Sequence, residues 1–223
     1  MKLALDTSQS SGSIALWDSG RIVYSAYFNI AITHSETLMP QLDAGLRLCG
    51  YAVSDIKAVL LTLGPGSFTG LRIGLASAKG IAYGLRIPLL SFDTLRLCAL
   101  QRHKCGCRIL SVLDAKMHQV YAALYDEDLI ELQSPRVCAA EELVDWDARG
   151  CYLLGSGSDL VQPVLESAGF NAVRVYEQPL NAAGLFQLAE LFPQEEIYDF
   201  DRLAELEPLY LRESTAQVRL SQG

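Results

Sequence analysis

The chain reads as an α/β protein made of two copies of a βββαβα-type unit, and three observations carry that reading. First, ALDTSQSSGSIAL (4–16) and VLDAKMHQVYAAL (112–124), about half the chain apart, share one plan: strand, Asp, polar turn, strand. Second, short apolar strands alternate with stretches of helical periodicity, the pattern of sheets covered by helices. Third, 50% of the 223 residues are apolar, and a chain of this size hides roughly 70% of its extended surface on folding. The expected division is a first lobe over 1–103 and a smaller second lobe over 104–223.

Taken in order, KLALD (2–6) is a short apolar strand ending in a carboxylate, TSQSSG a polar turn, and 13–17 and 21–28 two more strands separated by Asp18-Ser19-Gly20. This is an antiparallel meander. Leu38, Leu42, Leu46 and Cys49 recur at helical spacing, with Thr33 or Ser35 as the cap and Gly50 as the stop. Pro40 predicts a kink or a late start, because proline removes a helix donor and clashes with the preceding turn. A buried strand at 58–63 leads into GPGSFTG (64–70), then a helix at 71–85, a strand at 87–92 and a helix at 94–102. The second half predicts strands at 108–114, 120–125, 129–137, 151–154 and 172–176, with helices at 140–146, 159–168 and 181–192. The tail ELEPLYLRESTA reads as a docking segment.

Charge narrows the function classes. With 18 Lys and Arg against 26 Asp and Glu, the net charge is −8, which argues against the chain being a principal holder of nucleic acid. Asp6 interrupts the first apolar run, so no leader peptide fits, and no run reaches the ~18 residues of a membrane span. Six scattered cysteines suit reduced thiols in the cytoplasm. The Cys98, His103, Cys105, Cys107 cluster is spaced more tightly than zinc fingers are, and is taken as ordinary.

The chemistry-bearing candidates are turns. Asp6 and Thr7 at a strand end, with a hydroxyl-rich turn, could orient a metal-bound water and a phosphate; the plainer alternative is an Asp capping its own hairpin. Asp114 is its counterpart, but AKMHQ has no glycine to let backbone close on a phosphate. Gly155 and Gly157, between a strand and a helix, are a weak adenosine-docking signal. In GPGSFTG, Gly64 and Gly66 permit unusual backbone angles and the loop delivers a helix start, a natural anion site; no Lys-Ser/Thr follows, so it is not a Walker loop. The helix beyond it places Gly74 four residues before Ala78, and Gly80 four before Gly84. These small-residue ridges suit close helix packing, in the core alone or in the core plus an interface. No nucleophile–His–acid order is legible among His34, His103 and His118, and His34 suits a cap or a surface site.

ALDTSQSSGSIALW, THSETLMPQLD, LTLGPGSFTGLRIGLASAKGIAYGLRIPLLSFDTL, VLDAKMHQVYAALY and EPLYLR together resemble the TsaB (YeaZ) family. The resemblance runs from Met1 to about Arg212 and is most specific over 64–95. It implies an actin-like (ASKHA, ribonuclease H-like) duplicated fold with a reduced second lobe. It also implies pairing with a catalytic paralogue, TsaD, joined by the ATPase TsaE, in moving threonylcarbamoyl from an adenylate to an adenosine beside the tRNA anticodon. Where TsaD-like proteins carry the metal-binding H-H-M-E-G-H, this chain has Asp93-Thr94-Leu95-Arg96-Leu97-Cys98. The ligand positions fall on Thr94 and Cys98, a poor pair for a transition metal. The expectations are a non-catalytic scaffold with no cofactor of its own, ATP and metal residing in its partners, and a homodimer when alone. The contact face is expected on Leu38, Leu42, Leu46, Gly74, Ala78 and Ile81. A small ATPase or sugar-type kinase using Asp6, the first turn and Gly155–Gly157 is the rival, and a zinc peptidase a third reading.

Overall fold

The computed structural model describes residues 1–29, 34–176 and 178–212, with His34 and Ser35 described by backbone alone. The expected cap at Thr33, the Ser35 side chain and the tail beyond Arg212 lie outside the described residues. No helix among the described residues is long and apolar enough to cross a membrane.

The duplication is visible in the sheets. Strands β1 (Lys2–Asp6), β2 (Gly12–Asp18), β3 (Arg21–Phe28), β4 (Ala58–Gly64) and β5 (Leu89–Asp93) form one sheet in the order β3-β2-β1-β4-β5. Strands β6 (Ile109–Lys116), β7 (Gln119–Tyr125), β8 (Glu131–Ala139), β9 (Tyr152–Leu154) and β10 (Val173–Arg174) form the second in the order β10-β9-β6-β7-β8. In each, the first strand of the unit pairs antiparallel with the second and parallel with the fourth. The two orders are one topology written twice, which is the actin-like duplicated fold.

Burial explains the strand sequences. β1 and β4 sit mid-sheet and are apolar along most of their length, with residues 3–5 and 58–61 fully buried, as strands covered on both faces must be. β3, at the edge, is largely exposed. Helix α1 (His34–Cys49) follows β3, and α2 (Phe68–Leu85) joins β4 to β5. The late start expected from Pro40 is not seen: the helix begins at His34 and carries Pro40 inside it. Leu38, Leu42 and Leu46 are all buried in the core beside Leu3, Leu16, Leu61 and Ala82, and each such burial is worth about 1.5–3 kcal/mol. Tertiary packing therefore outweighs the lost hydrogen bond.

In the second unit α4 (Ser158–Ser167) takes the place of α2, while the helix expected at 140–146 is a 3₁₀ segment, Ala140–Asp145, that packs against α4. The strand expected at 172–176 shortens to the two residues of β10.

The division at 103/104 describes only the first crossing. The chain separates into Met1–Leu100 with Gln178–Pro208, and residues from Gln101 to Glu177 together with the C-terminal stretch from Leu209. The returning segment belongs to the first unit because its bonds are there. Ala182 N–H donates to Ser13 Oγ at 2.8 Å and Gln194 Nε2 to Ser91 O at 2.9 Å. Phe186 packs its ring 5.4 Å from that of Trp17, Glu196 pairs with Lys2, and Lys79 Nζ donates to Ala204 O at 2.8 Å. The segment carries α5 (Gly184–Leu191) and α6 (Phe200–Glu205); α3 (Thr94–Ala99) packs against α5. Helix α6 is absent from the sequence reading, although Asp199 caps it by accepting from Arg202 N–H at 3.0 Å.

Candidate functional site: two strand–turn joints and a helix face

The end of β1 meets the start of α2 in a closed joint. Asp6 is 1% exposed. Its Oδ1 accepts from the Thr62 hydroxyl at 2.6 Å and from Ser8 N–H at 3.1 Å, so the carboxylate fastens β1 to β4 and shapes its own turn. Thr7 Oγ donates to Gly70 O at 2.8 Å, and Ser67 N–H donates to Ser8 O at 2.7 Å. The glycines are needed for closeness. A Cβ on Gly66 would overlap the Ser8 carbonyl oxygen, and one on Gly74 would overlap Thr7 Oγ. Gly64, at φ 115°, takes a backbone angle that glycine tolerates. The loop is shorter than GPGSFTG suggested: α2 begins at Phe68, capped by Ser67, whose Oγ accepts from Gly70 N–H at 3.2 Å.

These bonds bear on whether a phosphate fits here. The amides of Ser8, Ser67 and Gly70, and the hydroxyls of Thr7 and Ser67, already bond within the joint. Asp6 is sealed beneath them. The Asp6 carboxylate shapes its own turn, as the plainer alternative has it, and beside it the buried Ser8 hydroxyl is left without a hydrogen-bond partner.

The corresponding joint of the second unit is looser. The Asp114 side chain is 28% exposed and pairs with Lys116 Nζ at 2.7 Å, and Lys116 N–H donates to its Oδ1 at 2.8 Å. The side-chain hydrogen bond from Lys116 holds the Asp114 carboxyl below its ordinary range, opposed by burial and helped further by the Lys116 amide and charge. Lys116, Met117 and His118 all have left-handed backbone, at φ 62°, 55° and 58°. Here too a glycine presses on a strand: Gly155, at φ 107°, leaves no room for a Cβ against Val112 O. Gly157 N–H donates to Val112 O at 3.1 Å, and Ser156 Oγ accepts from Asp114 N–H at 3.1 Å. Gly155 and Gly157 thus splice β9 and α4 onto β6.

The expected contact residues are relocated. Leu38, Leu42, Leu46, Gly74 and Ala78 are buried in the first unit's own interior, Ala78 at 0% exposure, and Ile81 is half-buried against the same cluster. Buried here, the first five have little surface left to offer another chain, while Ile81 keeps part of its own. The reason lies in α2, where 70, 74, 78 and 82 turn inward and 69, 72, 76, 80, 83 and 84 turn outward. Gly70, Gly74, Ala78 and Ala82 on the inner side and Ala76, Gly80 and Gly84 on the outer side form two small-residue rows. Tyr83 is 60% exposed, and a Cβ on Gly80 or Gly84 would meet only open space. Ala76 and Tyr83 escaped the sequence reading, although their spacing to Gly80 and Gly84 was the available signal.

Thr94 and Cys98 are both fully buried, on the first turns of α3, and Asp93 caps that helix by accepting from Leu95 N–H at 2.8 Å. Among the described residues no group of three His, Cys, Asp or Glu is placed to hold a metal ion.

The repeated sheet topology, with one strand–turn joint in each unit, defines a member of the actin-like class. Residues 29–178 match the family profile "TsaD: tRNA N6-adenosine threonylcarbamoyltransferase". The chain is 30% identical over 228 residues to the tRNA threonylcarbamoyladenosine biosynthesis protein TsaB of Bacillus subtilis, covering 97% of this chain and 96% of that one. It is 36% identical over 129 residues to TsaB of Escherichia coli, a match spanning 56% of this chain and 55% of the relative. Among solved structures, YeaZ from Pseudomonas aeruginosa superposes with a TM-score of 0.78 at 29% identity, over 95% of this chain and 100% of that one. A second, described as an uncharacterized protein with similarity to peptidase YEAZ from Pseudomonas aeruginosa, gives 0.81 at 30% identity and the same coverage. The chain belongs to the TsaB family.

Proposed function

We propose that this chain is a non-catalytic accessory subunit in the formation of threonylcarbamoyladenosine in tRNA. It works in the cytoplasm by pairing with a TsaD-like catalytic subunit, joined by a TsaE-like ATPase, and pairs with itself when alone. ATP and metal belong to those partners, this chain carries no cofactor, and with its net charge of −8 it meets tRNA only through them. The observation that carries the reading is the outward ridge of α2. Ala76, Gly80 and Gly84 leave a shallow track beside exposed Tyr83, a shape that lets a second helix approach closely and bury an aromatic anchor. The burial of Asp6 and its bonds to Thr62 and Ser8 support the non-catalytic half of the proposal.

Co-elution with a TsaD-like protein tests the pairing. Ala76→Glu and Gly80→Arg should abolish it while leaving the melting temperature of the lone chain within a few degrees. Ala78→Glu is no test of a face, because it would place a charge in the sealed core and unfold the unit. Full co-elution of both folded outward variants would refute the α2 face. Calorimetry with Mg-ATP separates the kinase rival: saturable binding with turnover that falls in Asp6→Asn would favour that enzyme.

A further inference from the structure

The connection into the second unit contains Cys105-Gly106-Cys107, which neither the fold nor the proposed pairing uses. Cys105 is half-buried, Cys107 is exposed, and Gly106 turns the chain at φ 76° with open space around it. The Cys105 thiol already curls back to donate to Cys107 O at 3.3 Å. The turn is held on its other side, where Lys104 N–H donates to Glu127 O at 2.8 Å, Gly106 N–H donates to Glu127 Oε2 at 3.0 Å, and Lys104 pairs with Asp128. Residues two apart in a chain cannot separate by more than about 7 Å, close to the about 4.4–6.8 Å that disulfides span between Cα atoms. A bridge therefore needs rotation of two side chains on a glycine-hinged turn and no movement of either sheet.

We infer that Cys105 and Cys107 form a dithiol modification site, converted reversibly to an intramolecular disulfide by exchange with a small-molecule disulfide such as oxidised glutathione. The exposed Cys107 reacts first. Its thiolate attacks one sulfur of the glutathione disulfide, an S–S bond forms to Cys107, and the first glutathione leaves as a thiolate that takes up a proton. The Cys105 thiolate then attacks the Cys107 sulfur and expels the second glutathione thiolate. Two protein thiols are oxidised, one disulfide is reduced to two thiols, and no other oxidant is required. The second step is intramolecular, so it outruns capture of Cys107 by another molecule. Exposure and the small ring make the bond labile to reduced thiols. Cys151 does not compete for Cys107: it is fully buried, and burial pushes its thiol up to about 11, leaving almost no thiolate to attack.

The test incubates the full chain with oxidised glutathione, blocks remaining thiols by alkylation and maps peptides by mass spectrometry. The peptide holding Cys105 and Cys107 should lose two hydrogens and resist alkylation at both positions, and excess reduced glutathione should restore it. Native thiol titration should lose both groups of this turn while buried Cys98, Cys138 and Cys151 stay slow before and after. In Cys105→Ser one glutathione should remain on Cys107. In Cys107→Ser, a substitution at an exposed position, Cys105 should stay alkylatable. A stable glutathione adduct on Cys107 in the unaltered chain, a Cys107–Cys151 bridge, or full alkylation of both thiols after oxidation would each overturn the proposal.

Discussion

The two strand–turn joints occupy the same place in a repeated topology, yet they are built from different chemistry. In the first, a buried Asp6 bonds to Thr62 and to its own turn, and hydroxyls and amides lock that turn to the glycine loop ahead of α2. In the second, Asp114 is partly exposed, holds a surface lysine, and leads into three left-handed residues with no glycine among them. What both keep is one glycine pressed against backbone, Gly66 on Ser8 and Gly155 on Val112. Each unit sets a glycine against backbone near its carboxylate, but at different positions, Ser8 two residues after Asp6 and Val112 two residues before Asp114, and the side chains around each carboxylate differ as well.

That comparison can be strained from its strongest point to its weakest. Gly155→Ala should be the most damaging change, because it adds a backbone overlap to a φ of 107°; a loss of about 4 kcal/mol or outright misfolding is expected by urea denaturation. Gly66→Ala meets the same kind of overlap without the adverse φ and should cost about 3 kcal/mol. If both were neutral, the glycine contacts would not be what fastens the joints. Next, Asp6→Ala strands the buried Thr62 hydroxyl and Ser8 amide and should cost about 2–3 kcal/mol, whereas Asp114→Ala should stay below about 1 kcal/mol, as partly exposed pairs do. Equal losses would erase the distinction between the joints.

Acid sharpens the same contrast. Lys116 depresses the Asp114 carboxyl in the folded chain. Its stabilisation is then fully present above the ordinary carboxylate value of 3.8 and is lost as pH falls through the lowered folded value. The small stability gap between the unaltered chain and Asp114→Asn, read as urea midpoints, should close on acidification through that range; a gap that widens would contradict the ion pair. Smallest of all, Ala76→Glu, on the outer ridge of α2, should shift stability by no more than about 0.5 kcal/mol.

The repeat was legible because strand, carboxylate and turn recur in order, and because mid-sheet strands are apolar throughout. Three things were hidden for physical reasons. The inward and outward ridges of α2, Gly74-Ala78-Ala82 and Ala76-Gly80-Gly84, are nearly identical in composition, so periodicity could not say which one was buried. The return of 178–208 to the first unit depends on long-range bonds such as Ala182 to Ser13, which no local pattern records. The closure of the Asp6 joint depends on Thr62, whose partner lies 56 residues away on another strand, so its place as the one polar side chain of AVLLTLG does not by itself say what it bonds. By contrast Asp199, standing before FDRLAE, was a readable cap that the sequence reading passed over.

The proposed function requires the chain to act through a partner rather than through chemistry at its own joints. Reconstitution of tRNA threonylcarbamoylation from purified components tests it most directly, comparing this chain alone, TsaD-like and TsaE-like proteins alone, and all three together, with Asp6→Asn and Gly80→Arg forms of the chain in the complete set. Product should form only from the complete set, be lost with Gly80→Arg and be retained with any Asp6→Asn chain that stays folded. Modification by the chain unaided, or undiminished modification without it, would rule out an accessory role.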